Sequence, residues 1–255
     1  MAEPALYPSL KGKTAFVTGG ATGIGASIVE NFAAQGMHVA FFDLDEAPAQ
    51  KLVADIANSG YPRASFFHCD LRDIAAFRET IDEARRAVGE PHVLVNNAAR
   101  DDRHSIESVT LEYWDERMAT NLRHQFFAIQ ALIEGMKRHG GGSVINMGST
   151  SWRLGNGGMP VYVTAKAAVE GLTRGLARDL GPFKIRVNCV LPGWVMTERQ
   201  KKLWLTPEAE ADLLKRQCLK EKLLPADITA VVLWLASDDS RMATAQSFVI
   251  DAGIL

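Results

Sequence analysis

Strand-like and helix-like patterns alternate along this chain from one end to the other, and few folds accept such an order. A strand, a crossover helix and a further parallel strand, repeated, build a parallel sheet covered by helices on both faces. Short β-branched or aromatic runs fall at Thr14–Thr18, Met37–Phe42, Ala64–Cys69, His92–Val95, Ser143–Met147, Lys184–Val190 and Ser247–Ile250. Between them lie segments of helical period. Leu71, Ile74, Phe77, Ile81, Ala84 and Val88 share one face, and a longer stripe runs from Leu111 through Trp114, Met118, Leu122, Phe126, Ile129 and Ile133 to Met136. Breaks between elements are local turns such as Ser59-Gly60-Tyr61-Pro62, Gly140-Gly141-Gly142 and Gly181-Pro182. The expected architecture is α/β, a doubly wound Rossmann-type three-layer sandwich on a seven-stranded parallel sheet. Residues 1–255 read as one domain.

Composition removes several classes of function. Lys and Arg number 28 and Asp and Glu 30, a formal charge of −2 with no basic run, which disfavours nucleic acid as a partner. The longest apolar stretch, Ala230 to Ala236, is far below the roughly 20 residues that span a bilayer, so no membrane partner is expected. No signal-peptide core precedes the first strand, and Cys69, Cys189 and Cys218 are odd in number with no Cys-x-x-Cys pair. A cytoplasmic protein without a metal is expected, its cysteines buried apolar fillers.

The first strand runs into Thr18-Gly19-Gly20-Ala21-Thr22-Gly23-Ile24-Gly25, and the apolar Ile28, Val29, Phe32 and Ala33 follow at helical spacing. Such a strand, glycine turn and helix bring backbone N–H groups and a positive helix end close to a pyrophosphate. The spacing is T-G-x-x-x-G-x-G rather than G-x-G-x-x-G, and glycines alone also serve packing. Asp43 adds a second signal, since it ends the second strand 18 residues beyond Gly25. A carboxylate there accepts hydrogen bonds from a ribose diol and repels a 2′-phosphate, and neither Thr22 nor Leu44 offers a compensating cation. NAD is therefore favoured over NADP; the alternative for Asp43 is a helix N-cap.

Tyr162 and Lys166 lie four apart on one helix face, and Ser149 precedes Tyr162 by 13 residues. A phenol needs roughly 4 kcal/mol of help to ionise near pH 7, which a neighbouring ammonium and an oxidised nicotinamide could supply. Tyr-x-x-x-Lys alone is a weak signal. It gains weight from Asn96-Asn97-Ala98-Ala99 after a strand, Asn121 within an apolar helical stripe, and Pro192-Gly193 after the sixth strand.

With this ordered set the chain resembles the short-chain dehydrogenase/reductase family over essentially its whole length. The resemblance assigns Gly19, Gly23, Ile24 and Gly25 to the pyrophosphate turn, Asp43 to the adenosine ribose, and Asp70 and Leu71 to the adenine pocket. It assigns Asn96, Asn97 and Ala98 to the cofactor channel, and Pro192, Gly193, Val195 and Thr197 to the nicotinamide end. Asn121, Ser149, Tyr162 and Lys166 become the catalytic tetrad, with Lys166 also on the nicotinamide ribose. Ala99 and Gly148 depart from the usual Gly and Ser. The implied chemistry is removal of a hydroxyl proton by Tyr162, with Ser149 orienting the substrate and hydride passing to NAD; Lys166, Asn121 and water carry the proton away. The family also implies a homotetramer built on the two long helices.

The loops beyond the strands are polar. Arg100-Asp101-Asp102-Arg103-His104 and Ser151-Trp152-Arg153-Leu154-Gly155-Asn156 offer groups that suit a sugar, as do Trp194 and Arg199. The alternative is a solvated turn or an Asp102–Arg103 ion pair. These loops, with Tyr113 to Arg117 and Ala252-Gly253, look like the bacterial NAD-dependent aldose dehydrogenases of the D-xylose and D-galactose type, which oxidise the anomeric carbon to a lactone. Arg100, Asp101, Asp102, Ser151, Trp152, Asn156, Trp194 and Arg199 are the candidate substrate residues. The rival readings are a sugar-acid dehydrogenase using Arg100, Arg153 or Arg199 for a carboxylate, a 3-oxoacyl reductase, and a non-enzymatic ligand-binding regulator on the same fold.

Overall fold

A computed structural model describes residues 5–255. Seven parallel strands form one sheet in the order β3-β2-β1-β4-β5-β6-β7. They are β1 (Thr14–Thr18), β2 (His38–Asp43), β3 (Ala64–His68), β4 (Val93–Asn96), β5 (Gly142–Met147), β6 (Ile185–Pro192) and β7 (Ser247–Ile250). Each expected strand is present within two residues at either end. The shifts matter at three ends, because β2 reaches Asp43, β4 reaches Asn96 and β6 reaches Pro192. Each puts a candidate site residue on the sheet's carboxyl edge.

The helices are α1 (Gly23–Ala34), α2 (Glu46–Asn58), α3 (Ile74–Val88), α4 (Leu111–Met118), α5 (His124–Arg138), α6 (Pro160–Leu180), α7 (Glu198–Leu203), α8 (Pro207–Arg216) and α9 (Pro225–Ala236). One face of the sheet packs Ile28, Val29 and Phe32 of α1, Ile56 of α2 and Ile228 and Val232 of α9 into a first core. The other packs Phe77 and Ile81 of α3, Ile129 and Leu132 of α5 and Leu180 of α6 into a second. Central strands are buried on both sides, hence their continuous apolar character. The Leu111–Met136 stripe is not one helix. Ala119–Arg123 form a single π turn between α4 and α5, and a turn of that kind inserts an extra residue that re-aims side chains.

From β1 the chain adds strands to one side as far as β3, then returns to add β4 to β7 on the other. The crevice at such a reversal, outside the carboxyl ends of β1 and β4, is where doubly wound sheets bind ligands. Cys69 and Cys189 are buried as expected, but Cys218 is exposed, because it follows α8 on a surface segment. Among the described residues no helix is long and apolar enough to cross a membrane.

Candidate active site

The crevice opens into a cleft of about 1220 Å³. Its first wall is the turn between β1 and α1. Gly19 adopts φ +66°, and a Cβ there would stand 2.7 Å from Ala98 Cα. Gly23 adopts φ +57°, within the left-handed region that favours glycine. Thr22, the N-cap of α1, makes no side-chain bond to the first turn, so its amides are open to an anion. Gly25 does not line the cleft. Its missing Cβ lets α1 pack on the Gly19 carbonyl, which Asn97 Nδ2 binds at 2.8 Å.

Asp43 stands at the edge of this turn and is not a helix N-cap. One of its oxygens accepts from Ala21 N at 2.8 Å; the other accepts from Leu44 N at 2.8 Å and Asp45 N at 3.2 Å. The carboxylate thereby joins the end of β2 to the glycine turn. Asp70 and Leu71 line the same end, and with them Arg72, which the sequence did not single out. Hydrogen bonds from the Arg72 guanidinium hold Asp70 below the usual carboxylate range, and Arg72 continues to Glu116 at 2.8 Å.

Asn96 corrects an expectation. It is fully buried behind the cleft wall, where Nδ2 donates to Asn146 Oδ1 at 2.9 Å and Asn146 in turn donates to Thr173 at 3.0 Å. A side chain ending β4 points either to the cleft or to the sheet face, and Asn96 takes the face. Asn97 and Ala98 line the cleft, as do Pro192, Gly193, Val195 and Thr197. Thr197 caps α7 through its hydroxyl, and its Cγ2 limits the room beside Gly23.

In the reacting half, Ser149, Tyr162 and Lys166 all line the cleft. Ser149 Oγ lies 2.9 Å from Ser151 Oγ and accepts from Ser151 N at 3.2 Å. Tyr162 and Lys166 project from the first two turns of α6, and the ammonium lies 5.7 Å from the phenol ring centroid. Burial raises the Tyr162 phenol above its ordinary value and Asp101 raises it further, while Ser149 and Arg103 oppose them. Burial also pushes Lys166 down to about 8, and its Nζ donates to Met147 O at 2.7 Å. A cation near a phenol favours its ionised form, and both Lys166 and Arg103 stand in this half of the cleft.

Asn121 is buried inside the π turn rather than on the cleft wall. Its Oδ1 accepts from Arg100 N at 2.8 Å and so anchors the loop after β4. Around it the described residues supply no partner to Asn121 Nδ2, Thr120 Oγ1, Gln125 Oε1, Asn96 Oδ1 or either ring nitrogen of His124. Buried polar groups without a protein partner are ordinarily satisfied by internal water. His124, pushed down to about 4 by burial and by Lys166, is neutral there. A histidine in an apolar helical stripe was the available signal for this pocket.

Of the candidate substrate residues, Arg100, Asp101, Ser151, Asn156, Trp194 and Arg199 line the cleft. Asp102 and Trp152 do not. Asp102 accepts from Arg117 at 2.7 Å and from Arg199, with Arg100 at 3.5 Å; against its partial burial, these cations keep it below the usual range. Trp152 turns away from the cleft to donate to Glu170 at 2.7 Å, and Glu170 also binds Arg153 and Ser247. Nor does Arg103 pair with Asp102. It stacks over Trp204 at 5.2 Å, and Trp204, Met159, Gln200 and Ile254 are wall residues that sequence reasoning missed.

Comparisons with known proteins identify the family. A family model described as enoyl-(acyl carrier protein) reductase matches residues 19–255. D-xylose 1-dehydrogenase of Caulobacter vibrioides is 49% identical over 249 residues, 98% of each chain. A probable galactose dehydrogenase of Rhizobium meliloti is 47% identical over 97% of each. Among solved structures, a 3-oxoacyl-[acyl-carrier protein] reductase from Brucella melitensis with bound NAD superposes with a TM-score of 0.89 at 28% identity, covering 100% of this chain and 97% of its own. The chain belongs to the short-chain dehydrogenase/reductase family and is an oxidoreductase.

Proposed function

We propose that this enzyme oxidises a neutral aldose at its anomeric carbon to the lactone, using NAD. The observation that carries the substrate class is the likeness to the sugar dehydrogenases, beside loop arginines that are mostly engaged by carboxylates. Holding a sugar acid requires an uncompensated cation beside the reacting carbon. Arg199 is bound by Asp102, Arg153 by Glu170 outside the cleft, and Arg100 stands 3.5 Å from Asp102, while Arg103 is taken up by stacking over Trp204 rather than by a carboxylate. Asp101 adds a negative charge beside Tyr162, which further disfavours an anionic substrate. The D-xylose and galactose dehydrogenases that this chain resembles support the same class.

The residues fit a nicotinamide dinucleotide. The open first turn of α1, bounded by Gly19, Thr22, Gly23 and Ile24, would take the pyrophosphate, Asp43 the adenosine ribose, and Val195 and Thr197 the nicotinamide end. Arg72 is the cation nearest in sequence to the adenine-pocket residues, and it is engaged by Asp70 and Glu116 rather than free for a 2′-phosphate. When bound, the cofactor supplies the hydride acceptor. Ser149 orients the substrate hydroxyl and Tyr162 accepts its proton. Lys166 stabilises the phenolate, and the polar pocket at Asn121 and His124 holds the water that takes the proton onward.

Assembly belongs to the same proposal. An apolar hollow lined by Met118, Leu122, Phe126, Phe127, Ala168 and Leu172 lies on the surface that α4, α5 and α6 share, and is the candidate contact of a homotetramer. The proposed location is the cytoplasm, in keeping with three unpaired cysteines.

NADH and NADPH formation over a panel of aldoses and aldonates tests this reading. Oxidation of neutral aldoses, faster with NAD, is expected. Oxidation of aldonates alone overturns the substrate class, and faster turnover with NADP overturns the role given to Asp43.

A further inference from the structure

One carboxylate in the reacting half is held in place with an oxygen left over. Asp101 lies on the loop after β4, which Asn121 fixes through Arg100 N, and it lines the cleft with Ser149, Asn156 and Tyr162. Its Oδ2 accepts from Gln200 Nε2 at 2.7 Å. The orientation of Gln200 is set from behind, since its Oε1 accepts from Trp194 Nε1 at 2.8 Å and only its NH₂ is left for Asp101. Three residues thus form a line, Trp194 to Gln200 to Asp101, that presents the carboxylate as a preorganised acceptor. Asp101 Oδ1 accepts no hydrogen bond from the described residues. Arg199 stands 3.7 Å from it and is engaged by Asp102.

Asp101 shares the cleft wall with Ser149 and Tyr162, and its charge acts on both the Tyr162 phenol and the Lys166 ammonium. On a sugar ring the hydroxyl of the adjacent carbon lies ~3 Å from the reacting one, within the reach of a single hydrogen bond.

We propose that Asp101 Oδ1 accepts the hydroxyl on the carbon next to the reacting one, the 2-hydroxyl of an aldose, and makes that hydroxyl the group by which the substrate is selected. The inference rests on the aldose reading above. A site built to bind a hydroxyl rejects the analogue that lacks it much more strongly than an apolar pocket rejects a missing methylene, because its own polar group is left unpaired. A carboxylate in this place also tolerates an ammonium group where the hydroxyl was, since the ammonium donates a charge-assisted bond.

The test compares kcat/KM for D-xylose and D-galactose with their 2-deoxy and 2-amino-2-deoxy forms, in the wild type, Asp101→Asn and Asp101→Ala. For the wild type, the 2-deoxy sugar should fall by about 100-fold or more and the 2-amino sugar by no more than about tenfold. Asp101→Asn gives its oxygen to Gln200 and turns its NH₂ to the substrate, a donor from which the 2-hydroxyl oxygen accepts and an ammonium cannot, so it should retain discrimination against the 2-deoxy sugar and lose tolerance of the amine. Asp101→Ala should bring the parent and 2-deoxy sugars within about threefold of each other. If wild-type enzyme oxidises a parent and its 2-deoxy form equally well, or Asp101→Ala keeps the full discrimination, the inference is overturned while the aldose reading stands. Failure to oxidise either parent sugar overturns both. The wild-type comparison decides the matter even where a variant does not fold.

Discussion

Replacing Gly25 by Ala tests the close packing of α1 on the glycine turn that the proposed cofactor site requires. The added methyl would be driven into the Gly19 carbonyl oxygen and to 2.6 Å from Asn97 Nδ2, inside the 3.0 Å below which side-chain carbons are not found. Neither neighbour is a flexible side-chain end free to move. The Gly19 carbonyl belongs to the turn itself, and Asn97 is pinned by Thr18 as well as by Gly19. Relief requires the start of α1 to lift from the turn, or the Gly19 peptide to rotate and break its bond with Asn97. Overpacking of this kind costs about 1–3 kcal/mol and the lost hydrogen bond about 1 more. About 2 kcal/mol taken from cofactor binding is roughly a 30-fold rise in Kd. What is taken from the fold instead lowers Tm by about 2–4 °C per kcal/mol at this chain length. Calorimetric titration with NAD and a thermal melt of the same preparation measure the two parts. A Gly25→Ala variant that binds NAD within twofold of wild type and melts within a degree of it would refute the reasoning.

Two further predictions follow from burial and surface. Lys166 is pushed down to about 8 from an ordinary value of 10.5, so below pH 8, where both states carry the proton, its charge opposes folding in full; between pH 8 and 10.5 the folded chain has lost the proton and the opposition falls as pH rises, and above 10.5, with both states neutral, it is gone. Lys166→Met should therefore be inactive and, at pH 7, up to about 3 kcal/mol more stable, less the cost of leaving Met147 O unpaired; denaturant unfolding should show that margin shrinking between pH 8 and 10.5, and a margin that grows there refutes the sign. Leu172→Glu puts a charge into the apolar hollow of α4 to α6, and light scattering should show a smaller assembly than the tetramer proposed for the wild type. An unchanged mass excludes that face as the contact, and a monomeric wild type refutes the assembly.

Much of the site was legible because backbone geometry imposes it. The glycines, Asp43, Ser149 and the Tyr162–Lys166 pair sit at strand ends and helix starts, and the positions of those ends follow from apolar period. Asn96 and Trp152 were misplaced for the opposite reason. Each lies one residue from a true wall position, and which neighbour faces the cleft depends on what waits on the other side: Asn146 for Asn96, Glu170 for Trp152. The π turn at Asn121 was invisible in a stripe whose apolar spacing continues through it, because one inserted residue leaves hydrophobic neighbours three or four apart on either side.

The sequence by itself determined the layer architecture, the glycine turn and the placing of Tyr162 and Lys166 on one helix face, since periodicity and local spacing act over one turn or one strand. Tertiary structure decided which charges are free. Arg199 and Asp102 are 97 residues apart and Arg153 and Glu170 are 17 apart, and only the folded chain shows that they cancel. Gln200 and Asp101, 99 residues apart, meet across the cleft in the same way. Whether a loop charge holds a substrate or another loop is a question of pairing in a partly desolvated cleft, where Coulomb energy depends on distance through space and not along the chain.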